Sequence, residues 1–145
     1  MKFLSIFLVF ILLLSSTVNA QEKKNPLAGT TWKLISGKWA TEDTTVTFPN
    51  SPYHQQILIY GKTHFNLVSQ DTSRDYSFSC SATYTIDGDN YTATYKMFSN
   101  YVGIGKSFNL KFQIEGDQLI FKAAAGNRDF GYELKEWHNV WKRID

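Results

Sequence analysis

The sequence predicts an all-β domain folded as an eight-stranded antiparallel up-and-down β-barrel, and three features support this prediction. Apolar and polar residues alternate with a period of two along most of the chain, and no segment of comparable length has a helical period. Tight turns that contain glycine and acidic residues separate the alternating runs. Two apolar stretches near the ends of the chain, 27–34 and 140–144, suit the first and last strands of a sheet that closes on itself.

The first 20 residues predict a signal peptide. Met1-Lys2 is a short basic start, the stretch 3–14 is almost continuously apolar, and 18–20 ends in the small residues that a signal peptidase recognises. The apolar run is about a dozen residues long, shorter than the roughly 20 that span a bilayer, so we expect no integral membrane span. We therefore expect an exported protein, periplasmic or secreted.

After cleavage we expect a flexible N-terminal lead over 21–26 and one barrel domain over 27–145. The lead is polar and has no apolar period. The formal net charge of the whole chain is only +2, which gives no electrostatic footprint for nucleic acid. The single cysteine, Cys80, cannot form an internal disulfide, and in its alternating run it fits as a small buried hydrophobe.

The eight strands follow from the alternation and the turns. Gly88 and Gly116 lie in two short acidic turns, where glycine can adopt the positive φ of a tight hairpin. Mostly short links make neighbours in sequence neighbours in the sheet. A two-sheet sandwich is the alternative, but it usually needs long crossing connections, and the one long irregular stretch is 40–53. The strands are expected near residues 31–39, 54–60, 63–69, 76–87, 90–98, 107–115, 118–124 and 131–143.

No motif indicates catalysis, a metal or a cofactor, so we expect that the protein is not an enzyme. His54, His64 and His138 lack metal-ligand spacing, and no serine or cysteine lies in a nucleophile motif. Strand alternation places His64 on the face opposite Phe65, so an inward Phe65 leaves His64 in solvent. The turn at 87–89 lacks the further ligands of a calcium loop.

The start, the meander and the end of the chain together resemble the lipocalin-like proteins of the calycin superfamily. The resemblance rests on 27–34 with its Gly29 and Trp32, on the eight-strand meander and on 140–144. The stretch 37–65, with its segments TTVTFP and KTHF, resembles more closely a group of small secreted lipocalin-like proteins found mainly in Bacteroidetes. Two residues rather than one separate Gly29 from Trp32, and no disulfide is available, so the kinship is one of fold and does not transfer a ligand.

The resemblance implies a structural role for Trp32 and Arg143. In lipocalins a tryptophan on the first strand packs at the closed end of the barrel against an arginine from near the C-terminal end, and these two residues match that pair. A guanidinium over an indole face is worth about 0.5–2 kcal/mol. Trp141 lies on the same strand face as Arg143 and is the alternative to Trp32 in this contact.

The barrel interior is where we expect the function to reside, because aromatic residues make up 16% of the chain. Aromatic rings with a few hydroxyl groups suit a pocket for a flat or hydrophobic small molecule. The same rings would also fill a small barrel without any ligand, and both interpretations stay open at this point. The candidate ligand-binding residues are Trp39, Phe65, Tyr84, Tyr95, Phe112 and Tyr132.

Two functions from different classes remain. The first is an exported binding protein that holds a small hydrophobic or aromatic ligand, with the glycine-flanked segment 98–106 as a flap and 40–53 as a second lid. The second is a filled barrel that acts through its outer surface as an inhibitor or protein-interaction module, with a protein partner that the sequence does not identify. An apolar cavity favours the first function, whereas a packed interior with an exposed apolar patch favours the second.

Overall fold

A computed structural model describes residues 24–48, 53–73, 75–99, 103–123, 128–129 and 132–145. The predicted signal peptide, 1–20, lies outside the described residues, as does the start of the predicted lead. Within the described ranges the chain contains no helix of the length and apolarity needed to cross a bilayer. The strands are β1 (Thr31–Ala40), β2 (Thr45–Phe48), β3 (His54–Tyr60), β4 (His64–Asp71), β5 (Tyr76–Asp87), β6 (Asn90–Phe98), β7 (Ser107–Glu115), β8 (Gln118–Ala123), β9 (Arg128–Asp129), β10 (Tyr132–Glu133) and β11 (Glu136–Arg143).

The predicted closed barrel is confirmed. Eight strands pair in the order β11-β8-β7-β6-β5-β4-β3-β1, and β11 pairs back onto β1, so the sheet closes. Every pairing within the barrel is antiparallel. Closure removes the free sheet edges and creates an interior that side chains or a small ligand can occupy.

The structure adds two short strands that the sequence did not predict, β2 and β9, and it separates β10 from the rest of the strand expected over 131–143. β2 forms inside the stretch 40–53 and pairs with the second half of β1, whereas the first three residues of β1 pair with β3. β9 and β10 pair as a separate two-stranded antiparallel sheet. The single strand expected over 131–143 is therefore corrected to β10 and β11, with a break at residues 134–135.

The two glycine turns adopt the predicted hairpin geometry. Gly88 has a φ of 61° and Gly116 a φ of 59°. In each hairpin the flanking residues, Asp87 with Asn90 and Glu115 with Gln118, are direct partners, so only two residues form the turn. A glycine with positive φ at the first central position matches the type II′ turn that suits twisted antiparallel strands.

Two β-bulges decide which side chains face the interior. On β1 the register shifts between Leu34 and Ser36, so an extra residue separates the two halves of the strand and Trp39 faces inward like Trp32. On β6 a second shift leaves Met97 68% exposed and turns Phe98 toward the core. The period-two alternation of Tyr91, Ala93 and Tyr95, which the sequence would extend to Met97, therefore stops before that residue.

The barrel has two ends of different construction. At one end lie the β3–β4, β5–β6 and β7–β8 hairpins, the start of β1 and the end of β11. We call the interior at this end the closed half, defined by Trp32, Tyr60, Phe65, Tyr84 and Tyr91. The interior at the other end is the open half, defined by Trp39, Gln56, Ser69, Tyr95 and Trp137.

Candidate ligand site

Aromatic rings fill the closed half. The ring of Tyr91, 2% exposed, lies at its centre, and six other ring centroids surround it at 4.9–6.5 Å. Edge, tilted and stacked arrangements of this kind add about 0.5–1.5 kcal/mol per pair beyond the area that they bury. The surrounding rings are Tyr60, Phe65, Tyr84, Phe108, Phe112 and Phe121.

The tyrosine hydroxyls of the closed half have protein partners. The Tyr60 hydroxyl donates to the Tyr91 hydroxyl at 3.3 Å, and the Tyr84 hydroxyl donates to the Gly61 carbonyl at 2.8 Å. Desolvation by burial raises the pKa of all three phenols, which keeps them neutral. No ligand is needed to satisfy these groups.

Asn25, in the described part of the predicted lead, is anchored to the closed half. Its Nδ2 donates to the Tyr84 hydroxyl at 2.7 Å and to the Lys62 carbonyl at 3.0 Å. Its Oδ1 accepts from the Leu27 backbone N–H at 3.0 Å, and Leu27 is fully buried. Residues 25–27 therefore form part of the plug that closes this end.

Trp32 and Arg143 meet at the closed end. The guanidinium carbon of Arg143 lies 5.9 Å from the centroid of the Trp32 ring, and the two residues are direct partners in the β1–β11 ladder. The Trp32 Nε1 donates to the Thr30 hydroxyl at 2.6 Å, so the buried indole is fully satisfied. Trp141 does not take the place of Trp32 in this contact, because it pairs with Leu34 and lines the open half instead.

The open half contains a cavity of about 300 Å³. Its wall is largely apolar and aromatic, and residues from the two sides of the barrel face each other across it. A volume of about 300 Å³ lies at the small end of the range for small-molecule sites. The aromatic lining includes Trp39, Phe78, Tyr95, Phe98, Trp137 and Trp141.

One wall of the cavity is shaped by a glycine. Gly37 faces Asn139 on one side and Phe48 on the other, and a Cβ at Gly37 would lie 2.6 Å from the end of the Asn139 amide and 3.1 Å from the Phe48 ring. Oriented to satisfy both ends, this amide accepts from the Trp137 Nε1 at 2.8 Å and donates to the His138 carbonyl at 3.0 Å. Because Gly37 has no side chain, the side chains of Asn139 and Phe48 can pack closely against its backbone.

His54 lies in the cavity wall among polar and aromatic partners. Its ring stacks on Phe48 with centroids 5.0 Å apart, its Nε2 lies 3.2 Å from the Gln56 Nε2, and its Nδ1 lies 3.7 Å from the Asp71 carboxylate. The other Asp71 oxygen accepts from the backbone N–H and the hydroxyl of Ser73. Both ring nitrogens of His54 thus face protein groups.

In the part of the chain that the structure describes, two buried polar atoms beside the cavity have no protein partner. They are the hydroxyl of Ser69, a fully buried residue, and the Nε1 of Trp141, a residue that is 3% exposed. Leaving a buried donor or acceptor unsatisfied costs about 1–3 kcal/mol. These two atoms are the groups in the open half that a bound molecule or water would satisfy at a gain in free energy.

The residues predicted to bind a ligand divide between the two halves. Trp39 and Tyr95 line the cavity. Phe65 and Tyr84 are buried in the closed half, and Phe112 packs against the same cluster, so these three do not reach the cavity. The side chain of Tyr132 lies outside what the structure describes.

Several cavity residues were missed by the sequence reasoning. Gln56 and Asn139 were missed because buried amides follow no apolar pattern, although alternation with Leu58 and with Trp141 places both on the inner face. His54 was considered only as a metal ligand. The expected orientation of His64 is confirmed, since His64 is exposed while Phe65 is 3% exposed.

The two predicted lids are only partly described. In 98–106, residues 100–102 lie outside the described ranges, and the remainder is tied to β6 by the hydrogen bonds Gly105 N to Tyr95 O and Tyr95 N to Lys106 O. In 40–53, residues 49–52 lie outside, and β2 contributes Val46 and Phe48 to the cavity wall.

A second concavity of about 510 Å³ lies on the outside of the barrel over β4, β5 and β6. It includes three exposed apolar side chains: Val68 (49%), Met97 (68%) and Ile104 (47%). The inner cavity is the better candidate for a small molecule, because its lining is more aromatic and includes Trp141, whose buried Nε1 has no partner in the described chain.

Among the described residues, no group of three or more His, Cys, Asp or Glu side chains is arranged to hold a metal ion. The chain matches no protein-family model, and it matches no curated protein.

Proposed function

We propose that this protein is an exported, lipocalin-like binding protein that holds a small hydrophobic or aromatic ligand in the open half of its barrel. The observation that carries the proposal is the cavity of about 300 Å³ with its aromatic wall and its unpartnered Trp141 Nε1. A concave, mostly apolar site with a few polar groups is the usual form of a small-molecule site. The contact between Trp32 and Arg143 supports the lipocalin-like assignment.

Binding is favoured over catalysis by the surroundings of His54, the histidine in the cavity wall. Its ring nitrogens face Gln56 and Asp71, and no serine hydroxyl or cysteine thiol in the described chain hydrogen-bonds to it. A nucleophile activated by a histidine base needs such a bond. The surroundings of His54 therefore suit a wall for binding and orientation better than a histidine-activated serine or cysteine nucleophile.

A neutral fluorescent probe, N-phenyl-1-naphthylamine, tests the location of binding. Val46 lines the mouth of the cavity, whereas the neighbouring Thr47 is exposed on the opposite face of β2. We expect Val46→Trp to fill the mouth and abolish probe binding, and Thr47→Trp to leave it unchanged. Equal binding to both variants would place the probe outside the cavity and refute the proposal.

Export and cargo are tested on the protein from its own producing cells. Native mass spectrometry should give a chain that begins at Gln21, together with an adduct of a few hundred daltons that is released on unfolding. A chain that retains residues 1–20 would contradict export. A bare mass, together with no binding of the probe, would favour the second function.

The outer concavity favours that second candidate, a protein-interaction or inhibitor module that acts through its surface. Met97 and Val68 expose apolar area there, and exposed apolar patches mark contact surfaces in many proteins. Met97→Glu separates the two functions. It should leave probe binding in the inner cavity intact, and it should weaken any protein complex that uses the outer surface.

A further inference from the structure

We infer that the ligand is a neutral, planar molecule of two or three fused rings whose edge carries both a hydrogen-bond donor and an acceptor. In this inference the side-chain amide of Gln56 forms hydrogen bonds with that donor and that acceptor. The inference rests on the proposed function and specifies the chemistry of the same cavity. It is carried by the unmet hydrogen-bonding groups of the open half, by the charges around them and by the shape of the aromatic wall.

Gln56 is a buried amide with spare hydrogen-bonding capacity. It is 7% exposed and lines the cavity, and among the described residues its side chain makes one hydrogen bond, between its Nε2 and the Nε2 of His54. An amide group offers two donors and an acceptor, so its Oε1 and one N–H remain for another molecule. A ligand that presents a donor beside an acceptor can pair with both at once.

Two neighbouring groups extend this polar surface. Ser69, with its unpartnered hydroxyl, is the direct cross-strand partner of Gln56, and such partners have Cβ atoms about 4.5–5.5 Å apart. On β11, which lies on the other side of β1 from β3, Asn139 supplies a second cavity-lining amide. Trp141, whose Nε1 is unpartnered among the described residues, is two positions further along the same strand face. Each buried amide therefore has an unmet polar group beside it.

The charges around the cavity favour a neutral ligand. No Lys, Arg, Asp or Glu is among the described residues that line it. The carboxylate of Asp71, the direct cross-strand partner of His54, is buried and would repel an anion, while its own oxygens are engaged by Ser73 and face His54. Burying an unpaired charge in such a site is far more costly than burying a hydrogen-bonded neutral group.

The aromatic wall favours a flat ligand. Phe78 and Phe98 lie nearly parallel, 11° apart, and Phe108 and Trp137 lie 20° apart at the side of the cavity. In each pair the rings stack on each other, with centroids 5.8 Å and 5.6 Å apart, so a ring that lines the cavity can offer only its second flat face to a planar molecule. The volume of about 300 Å³ limits such a molecule to a few fused rings.

Calorimetric titration with three compounds of nearly equal shape tests the inference. The compounds are 2-quinolone, which has an N–H beside a C=O, naphthalene, which has neither, and 2-naphthoate, which is an anion. We expect 2-quinolone to bind about tenfold tighter than naphthalene, which corresponds to about 1.4 kcal/mol. We expect 2-naphthoate to bind more weakly than either.

The outcomes separate the inference from the proposed function. If naphthalene binds as tightly as 2-quinolone, the cavity is a binding site but Gln56 does not form hydrogen bonds that select the ligand. That result overturns the inference. Tightest binding of 2-naphthoate overturns it as well. If none of the three compounds binds and the naphthylamine probe also fails, the proposed function falls and the inference falls with it.

The variant Gln56→Leu tests whether Gln56 causes the preference for 2-quinolone over naphthalene. Gln56→Leu should bring the two neutral compounds to within about twofold of each other by weakening 2-quinolone and strengthening naphthalene. Gln70→Leu, an exposed glutamine on β4, is the matched control and should keep the tenfold preference. A preference that survives in Gln56→Leu would contradict the assignment. The comparison of the three compounds on the unmodified protein does not depend on how either variant folds.

Discussion

The closed and open halves of the barrel have interiors built from the same residue types, but the two halves differ in how the rings pack and in whether the polar atoms are hydrogen-bonded. In the closed half, Tyr60, Tyr84 and Tyr91 pack ring against ring, and their hydroxyls pair with each other or with backbone and Asn25. In the open half, rings such as Trp39 and Trp137 surround a cavity. Two polar atoms beside that cavity, the Ser69 hydroxyl and the Trp141 Nε1, have no partner among the described residues.

The difference teaches that aromatic content alone does not distinguish a filled core from a binding site. Both halves bury rings, and rings stabilise a core as readily as they stack on a ligand. The distinguishing feature is whether buried polar groups are satisfied within the protein. By that measure the closed half is a stability element, and the open half is where we propose the ligand site.

Truncating one aromatic ring in each half should give the largest difference in the free energy of unfolding between the two halves. Tyr91→Ala removes the ring at the centre of the closed-half cluster, and we expect a loss of about 3–5 kcal/mol in the free energy of unfolding. Trp39→Ala removes a half-buried ring that already borders empty space, so we expect less than half of that loss. Urea denaturation of both variants measures the two values. Equal losses would mean that the two halves do not differ in packing.

A second contrast compares two glycines. Gly37→Ala places a Cβ against the Asn139 amide and the Phe48 ring, so Asn139 must give up its bonds to Trp137 and His138. We expect a loss of about 1–3 kcal/mol, because overpacking and lost hydrogen bonds add.

Gly61→Ala is the control for this contrast, since the nearest atom to its Cβ is a backbone oxygen at 3.4 Å. We expect no loss for this variant, and a gain of up to about 1 kcal/mol from the reduced entropy of the unfolded chain. Thermal unfolding gives both differences. Unchanged stability of Gly37→Ala, with probe binding also unchanged, would show that Gly37 does not shape the cavity.

The sequence predicted the strands well because their pattern is local. Alternation and glycine turns place strand boundaries directly, and β3, β5, β6 and β7 begin and end at the predicted residues. Closure was predictable because short links make successive strands neighbours, so only the pairing of first and last strands had to be inferred.

The candidate site was predicted less completely, for a physical reason. Alternation tells which face of a strand is buried, but it does not tell how deep along the barrel axis a residue lies. Phe65 and Tyr84 were expected in a ligand site and lie inward, yet they are at the closed end. The bulge on β1 that turns Trp39 inward likewise has no signature in the alternation itself.

The smallest expected effect tests the idea that satisfied polar groups mark the structural half. Thr30→Val keeps the shape of a buried side chain but removes the acceptor of the Trp32 Nε1, so we expect a loss of about 1–3 kcal/mol. Ser69→Ala removes a hydroxyl that has no partner, so we expect no loss and a gain of up to about 1 kcal/mol. Urea denaturation of the ligand-free protein measures both. A costly Ser69→Ala would mean that its hydroxyl is satisfied by water in the empty barrel, and this hydroxyl would then no longer distinguish the open half from the closed one.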